Sequence, residues 1–62
     1  MTYIDNRSGA TYRVTGVTPI KNLNLRIIYL GLVRGPDAAA PVLQFTDVFF
    51  SELLFTKKFE KI

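Results

Sequence analysis

The chain has no cysteine, no histidine and no tryptophan. Without cysteine there is no disulfide framework, and without cysteine or histidine the usual zinc and iron–sulfur ligand sets cannot be assembled. The same absences remove the commonest general base and the thiol nucleophile, so the familiar routes to catalysis are poorly supplied. Apolar runs are only a few residues long, far short of the ~20 needed to cross a bilayer, and the N-terminus lacks the basic region and apolar stretch of a signal peptide. The expectation is a cytoplasmic protein that is not an enzyme, holds no cofactor or metal and does not enter a membrane.

The acidic residues do not change this reading. Asp5, Asp37, Asp47, Glu52 and Glu60 are scattered without a metal-ligand motif, and Asp37 and Asp47 stand in turn contexts where aspartate serves the backbone. The glycine-containing segments Ser8-Gly9 and Gly31-Leu32-Val33-Arg34-Gly35 match neither a phosphate-binding loop nor a dinucleotide fingerprint.

What is present is a folded globule's composition. Of 62 residues 48% are hydrophobic, with five phenylalanines and three tyrosines, which separates the chain from disordered tails. Its length allows one domain, residues 1–62, burying only roughly 60% of the surface of the unfolded chain. The net charge of +3 suits solubility as well as an approach to nucleic acid or an acidic protein.

Thr2-Tyr3-Ile4-Asp5 is a short strand and Asn6-Arg7-Ser8-Gly9 a turn, which together predict a hairpin. Ala10 to Val17 alternates, with Tyr12, Val14 and Gly16 on one face, Thr11, Arg13, Thr15 and Val17 on the other, and a bulge or bend at Gly16. Pro19 ends that strand, and Lys21-Asn22-Leu23-Asn24 connects to the β-branched run Leu25 to Val33, the expected central strand. Arg34 to Pro41 is a loop of small residues. Val42 to Phe50 is β-rich, either one long bent strand or two pieces broken at Thr46-Asp47. From Ser51, a suitable N-cap, the pattern predicts a short C-terminal helix with Phe55, Phe59 and Ile62 as its inward stripe, and with Lys57, Lys58 and Lys61 in its last turns. Four to five strands and one helix in so short a chain predict a mainly β protein, a small SH3-like barrel.

The order Tyr12-x-Val14-x-Gly16-Val17, Ile27-Ile28-Tyr29, Val48-Phe49-Phe50 and Phe55-x-x-Lys58-Phe59-Glu60 resembles short bacterial and phage domains of unknown function that run Y-x-V-x-G-V, V-V-Y and F-x-x-K-F-E. The resemblance covers most of the chain from Tyr12 onward. It departs from the pattern where such domains carry Arg-Pro, since this chain has Ser51-Glu52 there. It implies an SH3-like fold and a phage or bacterial origin, and brings no chemistry with it.

Two surfaces are candidates for function. The segment Val48 to Ile62 has more apolar bulk than so small a domain can easily hide. Leu53, Leu54 and Phe55 span too wide an arc of a helix for one core-facing stripe, and adjacent Phe49 and Phe50 on a strand would face opposite sides. Phe50, Leu53 and Leu54 are therefore the expected apolar partner-binding residues, for a host or phage protein or a second copy of the chain. Arg13, Lys21, Arg26 and Arg34 flank strands that a barrel could bring together, and are the candidate nucleic-acid-binding residues. The expected function is a non-enzymatic binding module, a small phage accessory protein docking on a host or phage protein. The alternatives are a nucleic-acid-binding small barrel and a structural homo-oligomer.

Overall fold

The computed structural model describes residues 1–62. In chain order it comprises β1 (Thr2–Asp5), β2 (Thr11–Pro19), β3 (Arg26–Arg34), β4 (Val42–Thr46), α1 (Asp47–Phe55) and β5 (Phe59–Lys61). The strands form one antiparallel sheet in the order β4-β3-β2-β1-β5. The protein is thus mainly β with one short helix. The sheet does not close into a barrel, because β4 and β5 are both edges, and α1 lies across the opening in contact with β3, β4 and β5.

The β1–β2 hairpin follows from its turn residues. Gly9 sits at φ 80°, a conformation that costs other residues energy. Its amide donates to the Asp5 carbonyl at 2.8 Å, and the Asp5 side chain accepts from the Arg7 amide at 2.9 Å, the local bonding that makes aspartate a turn residue. β2 runs to Pro19, two residues past the expected Val17, with Pro19 opposite Arg26. The expected irregularity is found where the register slips between Val14 and Gly16. The bulge changes the parity of the strand. Tyr12 and Val14 face the core opposite Leu32 and Leu30, but beyond the slip Val17, not Gly16, shares that face, opposite Ile28. The expected alternation is therefore correct only up to Thr15. β3 pairs with both neighbours, although β2, not β3, is the middle strand.

Tyr3, Ala10, Tyr12, Leu30, Phe50, Leu53 and Phe59 form the core. Phe50 meets Tyr3 edge-on at 5.1 Å and Phe59 at 6.0 Å, while Phe45 lies parallel to Phe50 at 6.2 Å. Such ring pairs add about 0.5–1.5 kcal/mol each beyond their buried area, which matters in a domain with a core this small.

The C-terminal third differs from expectation. α1 begins at Asp47, not Ser51. Thr46, extended at φ −66° and ψ 153°, is the N-cap, and its hydroxyl accepts from the Phe49 amide at 3.1 Å. Asp47 supplies first-turn negative charge. Val48 to Phe50 are thus helical, and the strand before them stops at Thr46. The helix does not close the chain either. It ends at Phe55, Lys57 turns the backbone at φ 63°, the Lys58 amide donates to the Leu53 carbonyl at 3.0 Å, and Phe59–Lys61 pairs with β1. No basic residue lies in the last turn of α1, so Lys57, Lys58 and Lys61 do not serve its dipole. A short terminal helix is marginal by itself, whereas a strand on the β1 edge gains ladder bonds and buries Phe59 completely.

Candidate interaction surface

The shifted start of α1 redistributes the apolar residues. Phe50 and Leu53, three apart and so on one helix face, point into the core at 4% and 5% exposure. Leu54 is half-buried and packs on that core. The expectation that Phe50, Leu53 and Leu54 form an open partner-binding patch is corrected accordingly: the first two are core, and the third offers only part of its side chain. The expected inward stripe is corrected as well, because only Phe59 points inward, whereas Phe55 and Ile62 are exposed.

The apolar excess remains on the opposite side of α1. Val48 and Phe55 lie seven residues apart, two turns along one face. They are 63% and 83% exposed, with only Ser51 and Glu52 between them on that face. Phe49 rests on Phe45 with ring centres 5.6 Å apart and keeps half its surface open. Val48 and Phe55 are functional candidates not expected from the sequence, whereas Phe49 is the outward member of the Phe49–Phe50 pair. The signal was present: Thr46-Asp47 immediately before an apolar run is an N-cap followed by first-turn acid. A helix started there puts Phe50, Leu53 and Leu54 inside and Val48 and Phe55 outside.

Arg13, Lys21, Arg26 and Arg34 are all exposed but are not brought into one patch. Lys21 and Arg26 lie at the β2–β3 connection. Arg13 stands opposite Gly31 and Thr2, and Arg34 opposite Thr11. The five steps along β3 from Arg26 to Gly31 span about 17 Å at ~3.3 Å per residue, on a molecule 37 Å long. Two of the three tyrosines, Tyr3 and Tyr12, are core residues and are therefore closed to base stacking. Arg7 pairs with Asp5 at 3.4 Å, an exposed contact of small energetic weight.

No group of three or more acidic side chains converges. The one recess, about 120 Å³, is lined by Pro19, Leu23, Asn24, Leu25, Arg26 and Asp47, and is small beside the roughly 300 Å³ at which ligand sites begin. No helix is long and apolar enough to cross a membrane.

Tyr12 ties the sheet to the loop before β4, its hydroxyl donating to the Ala40 carbonyl at 2.9 Å. Burial raises its phenol pKa above the ordinary 10.0, and the negative charge of Asp5 adds to the shift. An acid whose pKa is raised by folding keeps its proton longer in the folded state. Stability is therefore unaffected below pH 10 and falls as the pH rises through the higher folded value. Alkaline denaturation followed by circular dichroism should show this loss above pH 10. Tyr12→Phe should lessen this alkaline loss and cost about 0.5–1.5 kcal/mol at neutral pH for the lost hydrogen bond. An alkaline profile identical in the two proteins would contradict this.

No family model, no curated protein and no solved structure matches this chain.

Proposed function

We propose that the protein is a non-enzymatic binding module that docks on another protein through the outer face of α1. The carrying observation is the pair Val48 and Phe55 on one helix face, the latter 83% exposed, with half-open Phe49 beside them. A phenylalanine left this open in a chain with so few core residues gains nothing for the fold, and exposed apolar patches mark interaction sites. A phage accessory protein acting on a host or phage protein in the bacterial cytoplasm is part of this reading, of which the resemblance implies only the phage or bacterial origin. Nucleic-acid binding has weaker support, because Arg13, Lys21, Arg26 and Arg34 are spread along the β2–β3 hairpin and the buried tyrosines cannot stack.

Affinity capture from host-cell lysate, with and without nuclease, tests the reading. The wild type and Arg13→Glu should retain a nuclease-resistant protein partner over a range of salt, and Phe55→Glu and Val48→Glu should lose it. Capture abolished by nuclease, or by Arg13→Glu alone with steep salt dependence, would favour nucleic acid and overturn the proposal.

A further inference from the structure

The two edges of the sheet are treated differently. β5 is three residues long and carries Glu60 and Lys61, a short charged edge of the kind that discourages further pairing. β4 runs for five residues, Val42-Leu43-Gln44-Phe45-Thr46, without a charge or an internal proline. Nothing blunts it.

The ladder shows which backbone groups this edge presents. Leu30 stands opposite Leu43 and Ile28 opposite Phe45, and the Leu32 amide donates to the Pro41 carbonyl at 2.9 Å. Bonded and non-bonded pairs alternate along an antiparallel ladder. With Leu32 and Pro41 a bonded pair, Leu43 and Phe45 also direct their amides and carbonyls into β3. Val42 and Gln44 direct theirs to the other side, where the chain supplies no strand; Thr46 directs its amide there too, while its carbonyl accepts the first bond of α1.

We infer that β4 is a self-association edge, at which two copies of this chain pair β4 to β4, antiparallel, about a two-fold axis at Gln44. The strand is complementary to itself in that register. Gln44 exchanges both backbone bonds with the partner's Gln44. Val42 meets the partner's Thr46, one β-branched residue against another. On the core side Leu43 meets the partner's Phe45, so two half-buried apolar side chains cover each other. An isologous contact requires this property of a surface, that it fit its own rotated copy. The register is bounded by Pro41 at one end and α1 at the other. Charge does not oppose it: none of the eight lysines and arginines lies between Gly35 and Thr56, so the +3 of each copy is not concentrated at the contact. The inference concerns the sheet edge and stands apart from docking by the outer face of α1.

Sedimentation equilibrium of the full chain from about 10 μM to about 1 mM, a range that covers weak association, tests it with two charge variants. Gln44 is exposed and its backbone does not bond to β3, so neither Gln44→Lys nor Gln44→Glu should disturb the monomer, as thermal melts will check. The wild type should dimerise. Each variant alone sets like charges opposite each other and should associate at least about tenfold more weakly, while an equimolar mixture of the two should recover dimer. The Gln44 and Thr46 amides should gain hydrogen-exchange protection as concentration rises. A wild type that is monomeric throughout, a dimer indifferent to both variants, or protection at Gln44 and Thr46 that is independent of concentration would overturn the inference.

Discussion

Phe59→Ala is expected to lower the free energy of unfolding by about 3–5 kcal/mol, the usual cost of removing a buried aromatic ring. Phe59 is fully buried, and its ring lies 6.3 Å from Tyr12, 5.9 Å from Phe45 and 6.0 Å from Phe50. It therefore joins the middle of the sheet, the β4 edge and the helix. The residue also anchors β5, whose ladder to β1 is only three residues long, so truncation should release that strand as well as open a cavity. A domain of this length has a total stability of only about 3–9 kcal/mol at 0.05–0.15 kcal/mol per residue. Much of the variant should then be unfolded at 37 °C. Urea unfolding followed by circular dichroism measures the loss, and a change below about 1 kcal/mol would show that the ring is not where the core depends on it.

Gly35→Ala is expected to destabilise by about 1–3 kcal/mol, as overpacking does. A Cβ at position 35 would lie 2.6 Å from the Cβ of Ala10 and 3.0 Å from its Cα. Neither atom can yield easily, since Ala10 is fully buried and its carbonyl accepts the Asp5 amide at 2.8 Å within the first hairpin. The backbone after β3 and the end of the β1–β2 turn are thus in direct contact, and only one of the two positions has room for a methyl group. Ala10→Gly in the Gly35→Ala background removes the nearer clash. The double variant should be more stable than the sum of the single losses predicts, by the coupling that neighbouring sites show. Strict additivity in urea melts would mean that the two segments do not touch.

Where local chemistry and tertiary outcome agree, the sequence alone suffices. Asn6-Arg7-Ser8-Gly9 specifies its hairpin because Asp5 and Gly9 have one good use together, and the β-branched run Ile27-Ile28-Tyr29 can only be a paired strand. Gly16 announces a bulge, but the exchange of faces that puts Val17 with Tyr12 depends on which residue is extra, and that is settled by pairing with β3. The C-terminal third is not legible in the sequence for a related reason. Val48-Phe49-Phe50 has strand propensity, and Thr46-Asp47 serves equally as a turn or as a helix start; burial of Phe50 and Leu53 against Tyr3 and Phe59 decides for the helix. Phe59-Glu60-Lys61 is too short to show a period and is a strand only because β1 offers it an edge. The exposed apolar surface depends on where the helix starts. Capping the helix at Thr46, five residues before Ser51, turns Phe50 and Leu53 inward and leaves Val48 and Phe55 outside.

That division of α1 into an inner face that holds the fold and an outer face that does not is the central claim, and the urea-unfolding midpoint of Phe55→Glu tests it most directly. An exposed side chain outside the packed core should change stability by no more than about 0.5 kcal/mol, so the midpoint and slope should match the wild type. A loss approaching the several kcal/mol expected of Phe59→Ala would place Phe55 in the core and contradict the account.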